Sequence, residues 1–326
     1  MSASAFPEGV APKAPEQHSV SSLDLSGVIP AVCTPRGADG ELDRASLARL
    51  CQHLVDAGVS GLFVGGSTGE AALLDDRTRL AALDVAVETA AGRVPVLYGV
   101  IETGTRRVLE AARPAADHGA AAVVAAVPFY VAPNQREVLA HFASLRAVLD
   151  LPVIAYDIPS ATHVRLEPDT AIALARAGDA VALKDSSGDL FGLRQVVAAT
   201  RDLPFQVLSG SETLADAALT SGADGLVPGL GNVDPAGFVR LYAAVRAGDL
   251  EAASAEQARL VRLFGIIGVA DRGRVGFTAG ALGAFKAALV RLGVIERADT
   301  WPPLTPLTVA EQDEIAGLLD EHLAPS

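Results

Sequence analysis

Lysine is nearly missing from this chain: Lys13, Lys184 and Lys286 are its only three, and arginine supplies the other positive charge. Arginine and lysine serve solubility equally well, but only an ammonium can lose its proton and become a nucleophile. A lysine placed at the end of an apolar strand is therefore a candidate for chemistry that arginine cannot do. Cysteine is as scarce, with Cys33 and Cys51 in no CxxC or metal-like spacing. This gives no sign of a disulfide framework and points to a reducing, cytoplasmic setting. The six histidines form no HxH or HExxH pair, so no metal site and no metal cofactor is expected. No long basic run interrupts a net charge of -13, which argues against nucleic acid or an anionic membrane as partner. The longest nearly apolar stretch, 120–133, falls short of the roughly 20 residues of a membrane helix.

What is present is ample apolar material, 50% of the chain, in a repeating order. Residues 1–25 mix Pro, Ser, Ala and Glu without period and are expected to form a flexible tail. From Gly27 onward, short apolar runs alternate with amphipathic stretches of helical length. The expected strands are 28–33, 61–64, 94–100, 121–127, 152–156, 181–184, 205–208 and 225–227. Leu47, Leu50, Leu54 and Val55 make the stripe of the first helix, stopped by Gly58. Thr105 and Asn134 are expected N-caps, Pro114 weakens the third helix, and Pro168 and Pro235 suit first turns, the latter behind Asp234. Eight βα units over 26–248 predict an α/β fold, a (β/α)8 TIM barrel, with an open doubly wound sheet as the alternative. Helical stretches near 250–268, 279–292 and 308–322 predict a C-terminal three-helix extension over 249–326.

In such a barrel the active site forms at the C-terminal ends of the strands, which directs attention to the polar residues there. They are Gly66-Ser67-Thr68-Gly69-Glu70 after the second strand, Tyr130 after the fourth, Tyr156-Asp157 at the fifth and Lys184-Asp185 at the sixth. Period two puts Ala182 and Lys184 on one face and Leu183 and Asp185 on the other. An ammonium turned into an apolar barrel mouth loses solvation, which favours the neutral amine that attacks ketones. Alone, a lysine such as Lys184 is more often a salt-bridge or snorkelling residue, and Tyr156 reads equally as a half-buried rim tyrosine. The glycine-rich turn is neither a P-loop nor GxGxxG; it reads as a tight connection, or as a cradle for a small carboxylate at a helix N-terminus. Gly229-Leu230-Gly231 is read as close backbone approach at the barrel mouth.

Taken together in order, Cys33-Thr34-Pro35, Gly66 to Glu70, Pro128-Phe129-Tyr130, the tyrosine of Ile154 to Pro159, Leu183-Lys184-Asp185 and Gly231-Asn232 resemble one family. It is the dihydrodipicolinate synthase and N-acetylneuraminate lyase superfamily of Schiff-base aldolases, and the resemblance runs from about Gly27 to Leu319. It implies that Lys184 forms the imine and Tyr156 transfers the proton, with Ser67 relaying protons towards Tyr130, which reaches into a neighbouring subunit. It further implies that Thr68 holds the carboxylate of pyruvate or another 2-oxo acid, that Val227 borders it, and that the assembly is a homotetramer, a dimer of dimers.

Two departures shape the functional expectation. Ala161 stands where dihydrodipicolinate synthases carry an arginine for the aldehyde substrate's carboxylate, and Asp157 replaces the usual asparagine. Such a charge-assisted contact is worth about 1.5–3 kcal/mol. His163, in the same loop, could meet a different second substrate. The expected activity is thus a pyruvate-dependent lyase or aldolase of the 2-keto-3-deoxy acid type, requiring no cofactor and taking pyruvate plus an aldehyde. Lysine-pathway dihydrodipicolinate synthase is the first alternative, a dehydratase working through the same imine another, and a non-catalytic 2-oxo acid binding protein comes from a different class.

Overall fold

The eight apolar runs are continuous rather than alternating, which is the pattern of strands buried on both faces. In the computed structural model, which describes residues 23–323, each becomes a strand of one parallel sheet: β1 Gly27–Val28, β2 Leu62–Val64, β3 Val96–Gly99, β4 Ala122–Ala126, β5 Val153–Asp157, β6 Ala182–Asp185, β7 Gln206–Ser209 and β8 Gly225–Leu226. Neighbours run in order from β2 to β8, and β8 pairs with β1. The ring closes where Phe63 N–H donates to Pro30 O (3.0 Å) and Val32 N–H to Phe63 O (2.8 Å). The sheet is therefore a barrel, and the open doubly wound alternative is excluded. β1 is shorter than expected because Pro30 has no N–H to continue the ladder.

Among the described residues twelve α-helices accompany the strands: α1 Arg44–Asp56, α2 Asp76–Ala90, α3 Thr105–Ala112, α4 Gln135–Val148, α5 Pro159–Thr162, α6 Pro168–Ala177, α7 Leu190–Thr200, α8 Ala215–Thr220, α9 Pro235–Ala247, α10 Leu250–Phe264, α11 Phe277–Arg291 and α12 Val309–His322. Most begin on a side-chain cap, as the sequence invites. Asn134 forms a full capping box with Glu137, Asp234 caps α9, and Pro168 and Pro235 occupy first turns. Thr105 is a correction: the cap is Gly104, and the Thr105 hydroxyl instead meets His141 Nδ1 at 2.9 Å. α3 stops at Ala112, two residues before Pro114, where a proline would clash with the preceding turn.

Strand alternation sorts the core into two layers. Ala31, Phe63, Leu97, Val124, Ala126, Ile154, Tyr156, Ala182, Leu208 and Val227 fill the barrel, while Val123, Ala155, Leu183 and Val207 pack under the helices. Most of the expected tail, residues 1–22, lies outside the described residues. Leu25, however, is buried, with its N–H on Gln206 Oε1 at 3.0 Å. Among the described residues no helix is long and apolar enough to cross a membrane.

The helices after α9 are fastened to the barrel by buried polar contacts: Arg259 of α10 pairs with Asp234, Gln257 donates to Glu212 O, and α11 supplies an ion pair at the mouth. Lys286 of α11 is fully buried, contacts Glu70 Oε2 and donates to Asp299 O at 3.0 Å. Glu70 Oε1 accepts the Trp301 N–H (2.8 Å), and the Trp301 indole donates to Thr34 O (3.0 Å). Burial pushes the Glu70 carboxyl up, with Lys286 and the Trp301 N–H opposing. Glu70 itself stands in the left-handed region at φ 58°, the end of the glycine-rich turn. Removing one partner strands the other charge, so Lys286→Met is expected to lower stability by about 3–5 kcal/mol in urea unfolding. A loss under 1 kcal/mol would show that the pair carries no structural weight.

Candidate active site

Glycines bring the second strand's turn against its neighbours. A Cβ on Gly99 would lie 1.9 Å from Gly65 O, and one on Gly66 would lie 2.6 Å from the Phe63 ring. The tight-connection reading is thus correct, and the helix N-terminus reading needs correction. Glu70 is followed by a single 3-10 turn, Ala71–Leu73, and α2 begins only at Asp76. What the turn offers a ligand is a half-buried Thr68 and an exposed Ser67, not a helix dipole.

Across the barrel, β5 and β6 align so that Tyr156 pairs in register with Lys184. Both side chains point inward, at 2% and 4% exposure. Lys184 Nζ lies 3.9 Å from the Tyr156 ring centroid and 4.6 Å from that of Phe63, so aromatic faces line the ammonium's side of the chamber. Room for it depends on Gly210, whose Cβ would come within 3.3 Å of Lys184 Cε and 2.1 Å of Ser186 Oγ. Val227 closes the same inner cluster.

Sequence reading missed Glu212. It follows β7, and its Oε1 accepts the N–H groups of Gly229 (2.8 Å) and Leu230 (3.3 Å). Burial raises its pKa, opposed by those N–H groups and by the charge of Lys184. A Cβ on Gly229 would meet Glu212 Oε1 and Thr68 Oγ1, each at 3.2 Å, which sets Thr68 and Glu212 side by side at the mouth. The same strand-end search extended to Ser209-Gly210-Ser211-Glu212 would have found it. Asn232 seals this corner, accepting from Cys33 N and donating to Ala31 O and Gly229 O. Cys33 and Cys51 are free buried thiols, both pushed up to about 12 by burial.

Other expected residues stand apart. Tyr130 is 96% exposed at φ 74°, and among the described residues its hydroxyl bonds to nothing in its own chain. Ala161 and His163 are exposed on and just after the short α5, which caps the β5 end. Asp157 lies on the opposite face of β5 from Tyr156. Its carboxylate accepts Arg165 Nε and the Leu166 N–H, both at 2.9 Å.

A model of the dihydrodipicolinate synthetase family matches residues 24–322. The chain belongs to this family. A relative from Stenotrophomonas maltophilia, strain K279a, named 4-hydroxy-tetrahydrodipicolinate synthase, is 36% identical over 298 residues, 90% of this chain and 96% of its own length. Among solved structures, YagE, a prophage protein of the dihydrodipicolinic acid synthase family from E. coli K12 in complex with pyruvate, superposes with TM-score 0.84. It is 29% identical and covers 92% of this chain and 99% of its own. A dihydrodipicolinate synthase variant described as the first monomeric one gives TM-score 0.84 at 27% identity, over 92% and 97%. This family member is accordingly a lyase-type enzyme of the class I aldolase kind.

Burial raises Asp157 to about 6, against Leu166 and Arg165 and with the help of Asp185. The folded chain thus holds this proton more tightly than an unfolded one. Stability from the group is full below about pH 4 and is lost as pH rises through about 6, a difference of about 3 kcal/mol. Asp157→Asn keeps an acceptor for Leu166 and removes the charge. Its Tm relative to the parent is expected to be higher at pH 7.5 than at pH 4; a pH-independent difference would refute the assignment.

Proposed function

We propose that this chain joins pyruvate to an aldehyde through an imine on Lys184, and that synthesis of 4-hydroxy-tetrahydrodipicolinate is the form of the reaction it performs. The observation that carries the imine is the inward register pair of Tyr156 and Lys184. The product assignment rests on relatives such as that of S. maltophilia, at 36% identity over most of both chains. In the reaction, the Lys184 amine adds to the pyruvate ketone and water leaves as the imine forms. A proton then leaves C3, and the resulting enamine carbon attacks the aldehyde. Tyr156 is the group beside Lys184 able to carry protons to and from these atoms. Thr68 offers a hydroxyl for the pyruvate carboxylate, Gly66 lets that turn lie against Phe63, and the Val227 backbone borders the pyruvate.

A second reading, aldol cleavage of a 2-keto-3-deoxy acid, is favoured by Ala161. Nothing in its loop replaces the missing guanidinium: Arg165 is turned to the outer face of the sheet by Asp157 and Asp189. Ser160 and His163 are the exposed polar groups there for a second substrate.

Borohydride reduction with pyruvate is expected to leave a pyruvyl adduct on Lys184 by peptide mapping, lost in Lys184→Arg. An unmodified Lys184 sinks the imine. Turnover of aspartate semialdehyde then supports the synthase, and turnover of 2-keto-3-deoxygluconate alone supports the second reading.

We infer further that the active form is a homotetramer in which Tyr130 serves a neighbouring subunit, completing a relay through Ser67. A left-handed backbone at a fully exposed tyrosine, followed by exposed Val131, supports a contact there. The monomeric synthase variant shows that the fold alone does not dictate assembly. Sedimentation should give a tetramer, and Tyr130→Phe should lower kcat; a fully active monomer overturns this.

A further inference from the structure

The outer layer at the β5 and β6 ends holds three carboxylates and one guanidinium. Asp157 belongs to β5, Asp185 to β6, and Asp189 caps α7; Arg165 reaches Asp157 at 2.9 Å and Asp189 at 3.6 Å. Asp157 also takes the Leu166 N–H, so both ends of segment 157–166 are fastened to one carboxylate. Inside that ring the Thr162 hydroxyl donates to Ile158 O (3.0 Å) and Val164 O (2.8 Å), and His163 takes a left-handed backbone. From α4, Gln135 Nε2 holds Arg165 O at 2.9 Å, and its Oε1 accepts from Thr170 and from the N–H of Glu167, the charged group at the α6 end. What the ring leaves outside is the exposed edge carrying Ser160, Ala161 and His163.

A neutral asparagine could accept the same Leu166 N–H without burying a charge. The carboxylate therefore serves something other than fold stability, and the group it specifically orders is Arg165. We propose that Asp157 is a positioning residue for the second substrate: through Arg165 it fixes the edge bearing Ala161 and His163, while leaving imine formation on the inner face untouched. This rests on the aldolase reading above. The division follows from strand alternation, since Tyr156 and Lys184 face the chamber and Asp157 and Asp185 face the helices. The charged groups facing Asp157 are Arg165 from its own connection and Asp185 from β6, while Asp189 ahead of α7 faces Arg165. Its rise to about 6 gives the pair a titration in an accessible range.

The test compares the parent with Asp157→Asn, Arg165→Met, the double variant and Arg165→Lys. Steady-state kinetics use whichever of aspartate semialdehyde or 2-keto-3-deoxygluconate turns over, and borohydride trapping with pyruvate reports the imine. Each single variant is expected to raise KM for that substrate about fivefold or more at pH 8, with the trapped adduct within twofold of the parent. The double variant should be no worse than either single one, and Arg165→Lys should recover part of the loss. The parent's KM should also carry a titration step near pH 6 that Asp157→Asn lacks. An adduct yield that falls as KM rises, or an unchanged KM and pH step, overturns the positioning role alone. No adduct in the parent overturns the aldolase reading and this inference with it.

Discussion

The contact between Glu70 and Lys286 is the constraint on which the barrel mouth depends. It is a pair of charges without solvent, held because Trp301, Asp299 and the fold around them supply the remaining hydrogen bonds. Such a pair is poor evidence for high stability, since its desolvation offsets much of its attraction, but it is strong evidence for a specified arrangement. Glu70 ends the turn that carries Ser67 and Thr68, and Lys286 follows Phe285, whose ring edge lies 3.1 Å from a Cβ on Gly229. The interaction therefore ties the turn that carries Thr68 to the helix packed beside Gly229 and Glu212.

The fold was legible because its signal is periodic and repeated. Eight apolar runs at regular spacing survive errors in any single boundary, and the errors that occur have local causes such as Pro30 in β1. Lys184 and Tyr156 were legible for a related reason: strand period two determines which face each occupies once the strand is located. Lys286 was visible as a scarce residue but not as a partner, because nothing in a helix sequence announces an ion pair with a residue in another loop. Glu212 was within reach of the strand-end rule as a residue after β7, but its partners, backbone groups after β8, are a long-range relation without a pattern in sequence. Thr105 shows the limit of capping rules, since a tertiary partner, His141, competes for the hydroxyl.

Inner and outer faces of the same strands do different work. The inner face of β5 and β6 gathers a tyrosine and a lysine over an aromatic floor, while the outer face gathers aspartates around Arg165. Because consecutive residues take opposite faces, a change at 157 alters the environment of the β5 connection without moving the side chain at 156. Such a barrel can vary one face of a strand end while the other face keeps its arrangement.

The order in which a ribosome delivers the chain gives the Glu70 contact another meaning. The glycine-rich turn emerges early, yet the ammonium and the indole that accommodate its carboxylate emerge only with α11 and the segment after it. Until then the turn holds a carboxylate that cannot be buried at neutral charge balance, so the mouth stays unfinished while the strands below it pair. A nascent barrel of this kind acquires the finished geometry of its mouth only after all eight strands have been made.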